Sequence, residues 1–359
     1  MKNIEILKNS PLFNLSLSSK ELFHSNFIAW MADMYPEAIG KILCEKFEIQ
    51  NTESNLKTPV SREKLNIDLI LEFDNFNIII ENKVKSIPNK EQLIEYKKNK
   101  NFKSNDKFVL LTLIPPSFDV KEIGWSVLTY KELAKSIQKL IFEINDEYHI
   151  LILKDYIAFI ECLSDLTAPL TELPINYDFN LYNQFHQVRL HDLYTKFVFS
   201  GLKEKIYESL KSKLGEKNVF DDKKYDGRDF SNLNKAFVNF AYVRGKGVIN
   251  IDYSNQEGIT YGLMLDGDKY LHYMWSIDNS KGFKEINARE FIEKEEWFTF
   301  ESRGESLPKI MTNFNKFGER MIYRSVKIKK ELSIADLINE WINKDIDRMQ
   351  KLKFDLEKI

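Results

Sequence analysis

The chain is short of cysteine, histidine, glycine and proline, and each shortage closes off a class of function. Cys44 and Cys162 are its only cysteines in 359 residues. Two thiols make neither a disulfide framework nor a zinc cage. Both lie in apolar, helix-like runs, so buried free thiols are expected. The five histidines are scattered, and His186 and His191 are five residues apart. On one helix that spacing turns them to different sides, and no zinc site is expected. Few glycines and prolines argue against long disordered tracts. No apolar run approaches a membrane span: the longest are of the kind seen at Ile78–Ile80 and Ile150–Leu153. The opening residues lack the apolar stretch of a signal peptide, so a soluble, reduced, cytoplasmic protein is expected. A surplus of positive charge is missing too, with 52 Lys and Arg against 54 Asp and Glu. Any nucleic-acid surface must therefore be local.

What is present is a dense supply of apolar and charged residues, 43% and 30% of the chain, in readable patterns. Helices are expected over 21–34, with a Ser18–Glu21 capping box, and over 36–48. Two β-rich runs follow, Leu65–Phe73 and Phe76–Val84, joined by Asp74-Asn75 as a hairpin link. A helix over 89–100 and a strand over 107–114 come next; strand, helix, strand implies a crossover and parallel pairing. A short strand near 125–128, a helix capped by Thr129 and Glu132 and running to about Phe142, and a helix over 148–166 complete an α/β unit with a mixed central sheet flanked by helices. The prolines of 167–174 suggest a boundary, giving domains at 1–168 and 175–359. The second reads as an α+β region: a long helix over 179–214, strands over 237–243, 248–253, 260–265 and 270–276, an Asp266-Gly267 turn, and a closing helix over 333–354 opened by Ser333. Arg244-Gly245-Lys246-Gly247 lacks the spacing of a phosphate-binding loop and reads as a turn between strands.

Chemistry concentrates in the first hairpin. Side chains alternate along a strand, so Glu81 and Lys83 share a face with Ile79, and Asp68 shares one with Ile70 and Glu72. A two-residue turn at Asp74-Asn75 pairs positions whose numbers sum to a constant. Leu69 then meets Ile80, Leu71 meets Ile78, Asp68 meets Glu81 and Asn66 meets Lys83; a slip of one residue would destroy the apolar match. Opposed carboxylates, with Cβ atoms about 5 Å apart, repel when both are ionised. A divalent cation resolves that repulsion, because Mg²⁺ takes oxygen ligands and is held by one or two carboxylates plus water and phosphate. Lys83 lies beside the pair, where it could orient water or hold a phosphate.

Asp68 followed by Glu81-Asn82-Lys83 resembles the PD-(D/E)XK nuclease superfamily motif, with Ile67 in place of the proline. Arg62-Glu63-Lys64-Leu65-Asn66-Ile67-Asp68-Leu69 and the run Ile78–Val84 are similar to a bacterial branch of that superfamily. So are Glu21-Leu22-Phe23-His24-Ser25, where a Glu can complete the metal shell, and Gln92 with Tyr96, four apart on one helix face. The resemblance covers about residues 15–115. It implies a restriction-endonuclease-like core and Mg²⁺- or Mn²⁺-assisted phosphodiester hydrolysis. Asp68, Glu81, the Asn82 carbonyl and Glu21 would form the metal set; Lys83, Gln92 and Tyr96 would serve the reaction. It further implies a nucleic-acid partner, DNA rather than RNA, and a role in bacterial defence or DNA processing. A partner-gated or non-catalytic binding module and an RNA-cleaving toxin are the alternatives. His24 and Ser25 read as packing and hydrogen-bonding residues. Between 82 and 107 eight lysines face three acids, a solvated face with a phosphate-tracking role open to it. The C-terminal half is left with substrate or partner recognition, or self-association.

Overall fold

The computed structural model describes every residue except 1, 18–19, 50–54, 117, 173–178, 222–232, 257–258, 277–290, 292–293, 301–312, 318–320, 329–333 and 353–359. The chain divides into two compact units, Met1–Pro174 with Asp178–Tyr194, and Ile175–Tyr177 with Thr195–Ile359.

The first unit opens with helices α1 (Lys2–Asn9), α2 (Pro11–Ser16), α3 (Lys20–Met34) and α4 (Pro36–Lys46). Ser18 and Ser19, the start of the expected capping box, lie outside the described residues. Strands β1 (Ser61–Lys64), β2 (Ile67–Glu72), β3 (Asn77–Lys83), β4 (Lys107–Thr112) and β5 (Ser126–Thr129) form one sheet in sequence order. The first three pair antiparallel and the last three parallel. Helix α5 (Lys90–Lys97) makes the crossover from β3 to β4, with the Asn89 side chain accepting from the Gln92 amide. Helices α6 (Tyr130–Ile141) and α7 (Glu147–Glu172) follow.

Both faces of this sheet are covered, as its apolar strands require. On one side Ile70, Ile79, Phe108 and Leu110 gather with Leu93 of α5 and with Val120 and Trp125; the Trp125 indole donates to the Leu93 carbonyl. Helix α3 crosses β1, β2 and β3 on the other side. Cys44 and Cys162 are buried free thiols, their pKa values raised by burial.

The hairpin register follows the expected sum, from Leu69 opposite Ile80 to Glu72 opposite Asn77. The Phe73 amide donates to the Phe76 carbonyl at 2.9 Å, closing the turn. The expected start of the first strand is corrected. Leu65 and Asn66 have φ of 60° and 63° and form the turn from β1 into β2, where Lys64 pairs with Ile67. Two successive positive φ values are what a tight two-residue hairpin turn demands. Asn66 therefore does not stand opposite Lys83.

Two further expectations are corrected. Helix α7 runs past Leu166 to Glu172 with Pro169 inside it, its last turns held by buried Leu163, Leu166 and Leu170. The expected helix over 179–214 is two: α8 (Phe179–Gln187) and α9 (His191–Leu214). Arg189 breaks it at φ 55°, while the Leu190 amide turns back to the Phe185 carbonyl, a C-terminal closure of the Schellman kind. The break brings the His186 and His191 rings to 5.1 Å between centroids, closer than one continuous helix would allow.

The second unit carries β6 (Val219–Phe220), β7 (Lys235–Val243), β8 (Lys246–Gln256), β9 (Ile259–Asp266), β10 (Lys269–Ser276), β11 (Asn313–Phe317) and β12 (Met321–Lys327). They form a sheet in the order β11-β12-β10-β9-β8-β7-β6, antiparallel except for β6 beside β7. Arg244 and Gly245, both at positive φ, make the turn between β7 and β8. Gly267 opens the turn between β9 and β10, one residue beyond the expected start. The closing helix α10 joins Ile334–Asp336, a π-helical turn at Leu337–Ile342, and Asn343–Lys351. Ser333 lies outside the described residues.

Candidate active site

The site arises where the β2–β3 ladder stops. Pairing ends at Leu69 and Ile80. In the same alternation the Asn82 amide would next bond a main-chain carbonyl of β2. It donates instead to Asp68 Oδ2 at 2.7 Å, so a carboxylate replaces the ladder partner. In a strand the N–H and C=O of one residue point to the same edge, and the Asn82 carbonyl thus faces the Asp68 side.

Glu81 and Lys83 lie on the α5 side of β3, 3% and 9% exposed. Lys83 Nζ sits 2.7 Å from Glu81 Oε1. Gln92 Nε2 donates to the Tyr96 hydroxyl at 2.5 Å, and Tyr96 reaches Glu81 Oε1 at 3.4 Å. Helix α5 thus presents Gln92 and Tyr96 on one face to the end of β3, as the four-residue spacing requires. Glu81, Lys83, Gln92 and Tyr96 form one connected group, and Asp68 is held beside it by the Asn82 amide.

The electrostatics are those of carboxylates held away from water. Burial pushes Glu81 up to about 7, against the pull of Lys83 and with the push of Asp68 and Glu21. Burial also raises Asp68, opposed by the Asn82 amide and Lys83. For Lys83 burial acts downward, but the charge and hydrogen bond of Glu81 outweigh it and the pKa is raised. Burial and Glu81 raise Tyr96. One lysine faces buried Glu81, half-buried Asp68 and Glu21 nearby.

Asp68, Glu81 and the Asn82 carbonyl offer oxygen donors, the kind that a hard divalent ion takes. Glu21 acts on the charges of Asp68 and Glu81, but one of its oxygens is held by the segment after β3. Its Oε1 accepts from the Lys85 amide (3.2 Å), the Ser86 amide (3.0 Å) and the Ser86 hydroxyl (2.5 Å). Among the described residues no group of three or more His, Cys, Asp or Glu side chains is placed to hold a metal ion.

The far side of β3 carries residues that the sequence pattern missed. The Asn82 side chain, 1% exposed, donates to the Glu21 carbonyl (3.0 Å) and to Ser25 Oγ (3.1 Å), and accepts from the Tyr130 hydroxyl (2.7 Å). Ser25 in turn donates to the Glu21 carbonyl. His24 is buried, 2.7 Å from the Tyr156 hydroxyl and packed on the rings of Tyr130 and Phe159. Burial lowers its pKa to about 3. These are packing and hydrogen-bonding roles. The lysine run after β3 is partly tied down. Lys85 pairs with Asp192, Lys90 with Glu122 and Lys98 with Glu95, and Lys97 donates to the Ile123 carbonyl.

Among the described residues no helix is long and apolar enough to cross a membrane. No curated protein and no solved structure matches the chain. The family model described as PD-(D/E)XK nuclease superfamily matches residues 12–157, a span that contains Glu21, Asp68, Glu81, Asn82, Lys83, Gln92 and Tyr96. The mixed sheet flanked by helices is consistent with the restriction-endonuclease-like fold. Such proteins are in general nucleases that use divalent metals on nucleic acid. Over residues 12–157 this chain is similar to the PD-(D/E)XK nuclease superfamily.

Proposed function

We propose that this protein is a Mg²⁺- or Mn²⁺-dependent nuclease that hydrolyses phosphodiester bonds, with DNA preferred over RNA, acting in the cytoplasm in bacterial defence or DNA processing. The observation that carries the reading is the break in the β2–β3 ladder. There Asp68 takes the Asn82 amide in place of a ladder carbonyl, and Glu81 pairs with the buried Lys83 at 2.7 Å. DNA and the biological role rest on the superfamily alone.

Asp68, Glu81 and the Asn82 carbonyl would hold the ion. When bound, it lowers the pKa of coordinated water and stabilises charge on the phosphate. The Lys83 ammonium, held protonated by Glu81, orients the attacking water and offsets the charge that develops on the phosphoryl oxygens. Tyr96 limits where the Glu81 carboxylate can turn, and Gln92 fixes the Tyr96 hydroxyl. The second unit would recognise substrate, a regulatory partner or another copy of the chain.

The test is cleavage of circular single-stranded DNA, linear duplex DNA and RNA with Mg²⁺ or Mn²⁺, comparing wild type with Lys83→Ala. Loss of one preorganised charged donor costs about 10²–10³ in kcat, and a fall of that size is expected. Preference for RNA would replace DNA as substrate. No cleavage by wild type would move the reading to a binding module or a partner-gated enzyme.

A further inference from the structure

Glu21 contacts the end of β3 at two places, one on each side of Lys83. Its main-chain carbonyl accepts from the Asn82 side chain at 3.0 Å. Its carboxylate Oε1 accepts from the Lys85 amide, the Ser86 amide and the Ser86 hydroxyl. The segment Asn82–Ser86 is therefore bound at both ends by one residue of α3, with Lys83 between the contacts. The first contact is reinforced, because Ser25 donates to the same carbonyl and also accepts from Asn82, while Tyr130 of α6 donates to the Asn82 side-chain oxygen. Both N–H donors of that amide side chain are used, and its oxygen accepts once. Lys85 and Ser86 follow β3, where the antiparallel ladder with β2 has already ended. Their amides point to a carboxylate where strand pairing no longer supplies a partner.

We propose that Glu21 is a positioning residue rather than an ion ligand: it clamps Asn82 on one side and Lys85-Ser86 on the other, fixing the direction in which Lys83 and the Asn82 carbonyl point. The effect on catalysis rests on the nuclease reading; the clamp itself does not. Oε1, which accepts all three of these hydrogen bonds, is taken up by the loop; ligation would fall to Oε2, and the variants below test for it. A clamp needs an acceptor at that place, not a charge.

Glu21→Gln and Glu21→Ala separate the two roles, because the glutamine carbonyl oxygen still accepts from the amides and the hydroxyl. Three readouts are taken on the full chain: kcat and KM for the preferred nucleic acid, Mn²⁺ affinity by calorimetry, and hydrogen exchange at the amides of Lys85 and Ser86. Residues that orient groups at a metal site cost about 10–100-fold when removed, and Glu21→Ala is expected to lower kcat by that factor with KM little changed. Its Lys85 and Ser86 amides should exchange at least about tenfold faster, since a protected amide loses its acceptor. Glu21→Gln should stay within about threefold of wild type in kcat, exchange and Mn²⁺ affinity, because the amide oxygen still accepts the bonds that anchor the loop.

A Glu21→Gln variant as impaired as Glu21→Ala, with Mn²⁺ affinity down about tenfold, would make Glu21 a ligand and overturn the proposal. So would unchanged exchange in Glu21→Ala. Should Glu21→Ala fail to fold, Ser86→Ala removes one of the three bonds to the carboxylate and is read by exchange at the same amides. If wild type cleaves nothing, the nuclease reading fails, and the exchange measurement still decides the clamp.

Discussion

Two buried ionisable side chains of the first unit, His24 and Glu81, respond to acid in opposite directions. His24 is neutral when folded, with its pKa lowered to about 3 by burial from the ordinary 6.5. Between those values the unfolded chain binds a proton that the folded chain refuses. Its contribution to stability is complete above pH 6.5 and is lost as pH falls toward 3. Glu81 is raised to about 7 from 4.5 by burial, so the folded state takes up the proton first, and acidification from pH 7 toward 4.5 adds stability. The two contributions overlap, and a difference between variants isolates each. From pH 7 to pH 5 the His24 contribution amounts to about 2 kcal/mol. Chemical denaturation at both pH values should show wild type losing that much more than His24→Phe. Parallel losses in the two proteins would mean that His24 is not held neutral by the fold.

Elements were readable where a residue pattern faces a core. The β2–β3 register followed from matching Leu69 with Ile80 and Leu71 with Ile78, because one wrong step would have put apolar residues on the wrong face. Alternation along β3 put Glu81 and Lys83 on one face, and helical spacing put Gln92 with Tyr96; the expected pairing of Asp68 with Glu81 lies beyond the end of the ladder, where Asp68 takes the Asn82 amide instead. Strand β1 was not legible. Its sequence SREK has no apolar alternation, and its exposed edge position asks for none. Nor was the break between α8 and α9, made without glycine or proline by Arg189 in a left-handed conformation. The Asn82 contacts were invisible because Ser25 and Tyr130 lie 57 and 48 residues away and approach from the opposite face. The capping box of α6 was visible locally, and it bears on the site. Thr129 accepts from the Glu132 amide and Glu132 returns to the Thr129 amide, placing Tyr130, the next residue, against Asn82. Thr129→Ala should cost about 1 kcal/mol and Thr129→Ser much less, measured by denaturation. Equal loss in both would remove the cap from the account.

At the scale of the molecule, each unit has its own sheet and its own buried polar centre, and they invite separate perturbation. In the second unit His272 and Asp345 are both fully buried. His272 Nε2 lies 2.8 Å from Asp345 Oδ2 and Nδ1 lies 2.8 Å from the Trp297 carbonyl, with the ring stacked on Trp297. Tyr270 donates to the same Asp345 oxygen, and Arg348 holds the other at 3.2 Å. This cluster ties α10 to β10. Removing one partner of a buried pair costs about 3–5 kcal/mol, because the other is left uncompensated. Asp345→Asn should therefore lower the melting of the second unit steeply. On the proposed reading, a divalent ion held by Asp68 and Glu81 of the first unit would stabilise only the folded state, by about 2.7 kcal/mol at a hundredfold excess over Kd, and would relieve the repulsion between them. Mg²⁺ or Mn²⁺ should raise the melting temperature of wild type, and Asp68→Asn and Glu81→Gln should abolish the rise. Asp345→Asn should keep the rise in full, since its carboxylate takes no part in the ion's site. If Asp345→Asn loses the metal-dependent shift while the Asp68 and Glu81 variants keep it, the ion binds in the second unit and the site at the end of β3 is misassigned.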